Sequence, residues 1–372
     1  MIFVLLINLS GCWDAQDIEE MSFPIAAAYD LHDGSKNLSD IPGDIKAQNW
    51  IDVTTLTPNL ASEADTKIRV ETQGAPVTAF ARNRRALESG RVYQPAMVQA
   101  LIIGEELARV GLNPYLDALY RVPIISSTIN FAVADIRGED ILKTEVDDYT
   151  NTGTLLRALL RKASNRAFVP DTTLHDIGIN NSPGKNPVLP LIKQTADKKG
   201  IQITGSAVFN KDKMMDSLNM GETRSLVLLR GIKSSGRIPF LLAEDEKIID
   251  SGTLRGCNSR KVKVTRNGDS FSFLIKIEIH GCMVDHTNNT TELSEKTSHA
   301  IAKQVAADIK SDCDKLIKKM QEEWEIDCID ISKYALAKWR KELTPVIDND
   351  FIQNTSIQVE VEVKLENCGE LI

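Results

Sequence analysis

The stretch from Val262 to Ile279, VKVTRNGDSFSFLIKIEI, decides how the last third of the chain folds. Val262 and Val264 precede Asn267-Gly268, and Phe271, Phe273, Ile275, Ile277 and Ile279 follow it at alternate positions. Side chains alternate faces along a strand, so this pattern gives two strands, each with one apolar face, and Asn-Gly between them is a strong hairpin signal. Pairing Arg266 with Asp269 sets Val264 opposite Phe271, Val262 opposite Phe273 and Cys257 opposite Glu278. Cys282 then lies about 13 Å from Cys257, beyond the reach of about 7 Å that a disulfide allows.

Downstream, Ile301, Val305, Ile309, Cys313, Leu316, Met320 and Trp324 recur at steps of three and four, which predicts a long helix over 292–325 with an apolar stripe to lay on that hairpin. A Met, a Cys and a Trp in such a stripe read as core. A second helix is expected over 332–343, holding Trp339 and stopping before Pro345. Ile357, Val359, Val361, Val363 and Leu365 give a closing strand.

Upstream, 187–250 reads strand, strand, helix, strand, a unit too small to hold a thick core by itself. Residues 175–190 collect Gly178, Gly184, Pro183, Pro187 and Pro190, and are expected to be a linker. Before it, strands are expected at 23–29, 44–56, 67–72, 97–103 and 125–136, with helices from Gly74 through Glu88 and over 152–166. The segment 30–35, Asp-Leu-His-Asp-Gly-Ser, reads as a turn. Arg82, Arg84 and Arg85 on the first helix are expected to form a solvated, ion-paired face. Strands alternating with helices indicate an α/β (α+β) class. The expected division is a signal segment 1–11, an N-terminal domain 12–180, a middle domain 187–250 and a C-terminal domain 251–372, each a mixed β-sheet packed with helices.

A chain of 372 residues with a net charge of −8 excludes nucleic acid as a partner, because phosphates demand a basic face. The same charge disfavours electrostatic adhesion to anionic lipid. The chain carries none of the phosphate-binding glycine loops or nucleophile elbows of common enzymes, and its five histidines are scattered. His280, Cys282, Asp285 and His286 form the one grouping with potential metal ligands, on a strand where alternation works against a shared site. The expectation is no catalytic residue, no cofactor and no metal.

Leu9-Ser10-Gly11-Cys12 closes an apolar run from Met1 to Asn8, the pattern of an export signal ending at a lipid-modified cysteine. The run is shorter than the roughly 20 residues a spanning helix needs. No Lys or Arg precedes it, so the usual basic segment would have to lie upstream. Lipid attachment at Cys12 would leave Cys257, Cys282, Cys313, Cys328 and Cys368, an odd number with no close-paired spacing, expected to be mostly free and buried.

Gly11-Cys12-Trp13-Asp14 with its acidic continuation resembles the C-subunit lipoproteins of bacterial spore germinant receptors. So do Leu101-Ile102-Ile103-Gly104-Glu105-Glu106-Leu107-Ala108-Arg109, the run from Gly205 to Arg224, and the final order of long helix, Trp-bearing helix, Phe351, alternating strand and Gly369. Gln16-Asp17, Asp216 and Tyr334 depart from the family's usual residues. The resemblance implies three α/β domains on the outer face of the spore inner membrane. It also implies a complex with the multi-span A- and B-type receptor subunits, a nutrient germinant held by that complex, and no chemical step. The alternatives are an anchored extracytoplasmic solute-binding lipoprotein and a surface metalloenzyme built on the His280 to His286 grouping.

Overall fold

The computed structural model describes residues 17–34, 49–58, 68–179, 183–244, 247–287, 294–348 and 351–366. The expected signal segment, Cys12, Cys368 and Gly369 lie outside them.

In chain order the elements are β1 (Met21–Ser22), β2 (Ala26–Leu31), β3 (Ile51–Pro58), β4 (Ile68–Ala75), α1 (Thr78–Ser89), β5 (Val92–Tyr93), β6 (Ala100–Gly104), α2 (Glu105–Val110), α3 (Asn113–Arg121) and β7 (Asn130–Ala134). Then come α4 (Gly138–Leu142), α5 (Thr152–Arg161), α6 (Ala163–Arg166), α7 (Leu174–Ile179), β8 (Val188–Gln194), β9 (Ile201–Asn210), β10 (Lys213–Asn219) and α8 (Met220–Arg230). The chain closes with β11 (Ser235–Glu244), β12 (Lys247–Asn267), β13 (Ser270–His286), α9 (Glu295–Lys319), α10 (Ser332–Leu343) and β14 (Thr355–Leu365). A π-helical turn, Met320–Trp324, extends α9.

The fold is mixed α+β, with three sheets among the described residues packed with helices: β1-β5, β10-β9-β8-β7-β6-β2-β3-β4 and β11-β12-β13-β14. In the eight-stranded sheet β2, β6, β7 and β8 run parallel at the centre, and antiparallel strands flank them. Parallel strands covered on both faces need apolar residues at every position, and β6 is buried throughout. Its alternation divides the cover. Leu101 and Ile103 pack under α3 through Leu116 and Leu119, whereas Ala100 and Ile102 pack under α4 and α5 through Ile141, Leu156 and Leu160.

The C-terminal sheet follows the expected pattern. Phe271, Phe273, Ile275, Ile277 and Ile279 are buried against the α9 stripe of Ile301, Val305, Ile309, Cys313, Leu316 and Met320. The hairpin register differs from expectation by two residues: Asn267 pairs with Ser270, Val264 with Phe273 and Cys257 with His280. The turn residues are therefore Gly268-Asp269, with Gly268 at φ 62°, and a glycine in first position suits the type II′ turn that matches strand twist. A shift of two preserves the faces, so the core is unchanged.

Residues 187–250, expected as a middle domain, form no sheet of their own. β8, β9 and β10 complete the eight-stranded sheet, β11 edges the four-stranded one, and Leu226, Val227, Leu228 and Leu229 of α8 enter the C-terminal core. The thin core anticipated for this segment is remedied by sharing its apolar residues between two neighbours. The expected linker is also structured, since Gly178 lies in α7 and Pro190 in β8. Pro190 is tolerated because β8 bonds to β7 only through Leu191 and Ile192, beyond the proline.

Smaller differences follow from long-range pairing. β7 is confined to Asn130–Ala134, and Gly74 and Ala75 end β4 instead of opening a helix. Asp216 sits past a bulge in β10, where its Oδ2 accepts from Trp324 Nε1 at 3.1 Å and meets Lys319 Nζ at 2.9 Å. That contact ties the eight-stranded sheet to the end of α9.

Candidate functional site

Among the described residues, a cluster of buried charge lies where the parallel strands β2, β6 and β7 end. Their carboxyl ends are the usual position for sites in open sheets of this kind. Asp30, at the end of β2, is 2% exposed, and Asp52 on β3 is fully buried. Asp30 accepts from the backbone N–H of Gly138 at 2.6 Å and of Glu139 at 2.9 Å, capping the start of α4. Gly104 makes room for it: a Cβ there would stand 2.2 Å from Asp30 Oδ1.

Arg137 enters from the loop before α4. Its Nη2 donates to Asp52 Oδ2 at 2.6 Å and its Nη1 to the Leu31 carbonyl at 3.1 Å, with Asp33 Oδ2 at 3.2 Å and Glu139 Oε2 at 3.6 Å. His32 Nδ1 lies 2.9 Å from Asp52 Oδ1. Glu139 extends the network through Lys143 at 2.7 Å and the Thr72 hydroxyl at 2.9 Å. Burial pushes the Asp30 carboxyl up to about 6, against the pull of the two N–H donors and Arg137.

His32, Asp33 and Asp52 place one nitrogen and two carboxylate oxygens within 4.8 Å of one another, a donor set of the kind that holds a divalent cation. The position already has a cation. Arg137 bonds Asp52 Oδ2 and His32 holds Oδ1, so a metal ion would have to displace a guanidinium from a buried carboxylate. The network serves to lock β2, β3 and α4 together. None of its members was singled out as a site residue from the sequence, where residues 30–35 read as a turn. The available signal was two acids and a histidine at the end of an apolar strand.

The residues weighed as metal ligands do not converge. His280 faces Glu366 at 3.6 Å and Glu278 at 4.0 Å, while His286 lies 3.3 Å from Asp250, six residues along β13. Cys282 is disulfide-bonded, which removes its thiolate. Cys257, Cys313 and Cys328 are free, Cys257 being exposed. The expectation of mostly free, buried cysteines is thus corrected at two positions. Burial pushes the Cys313 thiol up to about 12, which leaves it inert.

The arginines of α1 also depart from a uniformly solvated face. Arg82 is exposed, but Arg84 Nη1 donates to the Gly74 carbonyl at 3.0 Å and Arg85 is 2% exposed.

Two family models match the chain, Spore germination protein N-terminal domain over residues 14–194 and Spore germination B3/ GerAC like, C-terminal over residues 204–369. The chain belongs to the Ger(x)C family of spore germination proteins. Among Ger(x)C relatives, the putative spore germination protein YfkR of Bacillus subtilis (strain 168) is 24% identical over 331 residues, covering 86% of this chain and 82% of that protein. Spore germination protein GerQC of Bacillus cereus is 22% identical over 378 residues, covering 99% of this chain and 98% of its own. The crystal structure of the GerBC protein superposes with a TM-score of 0.58 at 14% identity, covering 94% of this chain and 100% of that one, and so shares the fold.

Proposed function

We propose that this Ger(x)C protein is the lipid-anchored subunit of a spore germinant receptor. It is held on the outer face of the spore inner membrane by a diacylglyceryl group on Cys12, and it works by contact with multi-span A- and B-type subunits. The observation that carries the reading is Leu9-Ser10-Gly11-Cys12 standing directly before the residues matched to the family, from 14 onward. Two acyl chains make membrane attachment stable where one is fleeting. No helix among the described residues is long and apolar enough to cross a membrane, which is consistent with attachment through lipid. The net charge of −8 gives anionic lipid no electrostatic hold on the body.

The reading assigns the protein no chemical step. His32 is engaged by Asp52, with no nucleophile among its hydrogen-bond partners, and Cys313 and Cys328 are buried thiols in the packed core. Its part is to help the receptor assemble and pass on the nutrient signal.

Affinity purification from detergent-solubilised spore membranes tests this. The wild-type chain is expected to bring down multi-span membrane proteins, while Cys12→Ala leaves the membrane fraction or stays as full-length precursor and brings down none. Membrane retention of a processed Cys12→Ala chain, or a wild-type chain recovered alone in a detergent that preserves such complexes, would refute it.

A further inference from the structure

A cleft of about 700 Å³ opens between α6, the start of α8 and strands β11 and β12. Arg166, Arg224, Arg237 and Arg255 all line it, and no acidic residue does. The chain carries 52 acids to 44 lysines and arginines, so four arginines gathered in one cleft run against its overall charge. They are also short of partners. Arg224 Nη2 lies 3.5 Å from Asp312 Oδ2, and Asp312 is shared with Lys315 at 3.2 Å. Among the described residues, Arg166, Arg237 and Arg255 form no ion pair. Glu222, next to the lining residue Gly221, is turned to the Asn219 N–H at 3.0 Å and to Lys319 at 3.7 Å.

Backbone pairing holds these charges together. Arg237 and Arg255 stand directly opposite each other in the antiparallel register of β11 and β12, and both are exposed. Residues so paired share a face with Cβ atoms about 4.5–5.5 Å apart, where like charges destabilise the pair unless an anion lies between them. β11 meets α6 at Gly236, where a Cβ would stand 2.9 Å from the Phe168 ring and 3.1 Å from Ala167 Cα. The residues flanking that contact in sequence are Arg237 and Arg166. Arg224 adds its charge from the second turn of α8, whose N-terminal end carries a further partial positive charge. A cleft lined by one sign of charge focuses its field on an incoming counter-ion.

We propose that this cleft binds a soluble ligand carrying two linked phosphate groups, whose oxygens bridge Arg237 and Arg255 while Arg166 and Arg224 complete the balancing charge. Arginines reaching in from four elements suit phosphate, whose oxygens point in three dimensions, better than a planar carboxylate. β11 is the edge strand of its sheet, but Pro239 lacks the N–H that an added strand would need, so a compact anion fits the cleft better than an extended acidic peptide. The volume falls within the range of about 300–1,000 Å³ usual for small-molecule sites and leaves room for an organic group beside the phosphates. A net charge of −8 opposes close approach to an anionic membrane, which favours a free phosphate compound over a lipid headgroup. The inference goes beyond the receptor reading and stands without it, because it concerns only what this chain binds.

The test is titration calorimetry on the purified full-length chain in neutral detergent, with inorganic pyrophosphate and orthophosphate as probes. Pyrophosphate is expected to bind, and orthophosphate, with a single phosphate group, to bind roughly tenfold more weakly or not at all. Arg237→Gln and Arg255→Gln are each expected to weaken pyrophosphate about tenfold, whereas Arg157→Gln, an exposed arginine on α5 outside the cleft, leaves it unchanged. Thermal melts add a second readout that also checks folding: pyrophosphate raises the midpoint of the wild type, and without it Arg255→Gln melts no lower than the wild type because a like-charge contact is relieved. Silence from pyrophosphate, an affinity unchanged in both folded cleft variants, or an equal loss in Arg157→Gln would overturn the proposal. So would displacement of pyrophosphate by an equimolar amount of phosphatidylglycerol in the micelles, which would make the ligand a lipid headgroup. Each of those results leaves the lipid anchor at Cys12 untouched.

Discussion

At pH 8 the Arg137→Met protein is expected to unfold with about 3–5 kcal/mol less free energy than the wild type, the usual cost of taking one partner from a buried ion pair. Arg137 is the cation that Asp52, fully buried, bonds at 2.6 Å, and it also lowers the charge burden on Asp30. Methionine fills similar volume and leaves the two carboxylates facing each other's field with only His32 and backbone donors to hold them. The loss depends on pH in a fixed direction. Asp30 in the folded protein has its carboxyl raised from 3.8 to about 6, so its contribution to stability is fully present below about 3.8 and is lost as pH rises through about 6. Without Arg137 the folded Asp30 carboxyl rises further, so the variant's deficit is largest at pH 8 and shrinks toward pH 5. Urea denaturation of both proteins at the two pH values measures it. A deficit that stays constant, or grows at pH 5, would show that Arg137 acts through packing and not charge.

The Phe273→Ala protein is expected to lose about 3–5 kcal/mol at every pH, the range for deleting a buried aromatic. Phe273 is 1% exposed, near the start of β13. Its ring meets Phe351 edge-on with centroids 6.3 Å apart, and Phe351 in turn packs 5.3 Å from Phe271, which meets Trp339 at 5.4 Å. This aromatic chain joins the hairpin to α10 and to the segment before β14, so the cavity left by alanine lies where three elements meet and has little freedom to collapse. Tryptophan fluorescence followed through urea unfolding reads the change. A loss under about 1 kcal/mol would mean that the C-terminal core is not packed as described.

These two sites also show what the sequence made legible. Phe273 could be found from alternation alone, because a half-buried strand repeats every two residues and the turn residues bound it. The register slipped by two because a turn's type depends on backbone angles, and Gly268 serves at the first turn position, not the second. The α9 stripe was equally legible, since helical periodicity is local. The network around Arg137 was not. Asp30 and Arg137 are brought together by parallel pairing of β2, β6 and β7 across more than 100 residues of chain, as the Gly138 contact shows with its separation of 108. Sheet membership of 187–250 was hidden for the same reason. Nothing near Val188 or Ser235 states which sheet each strand will join. Arg85 illustrates a third limit: its neighbours Arg82 and Arg84 are more exposed, and a run of arginines does not reveal which one turns inward.

The anchor at Cys12 remains the claim on which the functional account stands, and the chain's own sulfur inventory tests it. Peptide mapping by mass spectrometry, under non-reducing conditions, of the protein isolated from spore membranes is the direct measurement. The account predicts a mature chain beginning at Cys12 with a diacylglyceryl group on its sulfur. A chain that keeps Met1 to Gly11, with the Cys12 sulfur unmodified, would contradict it.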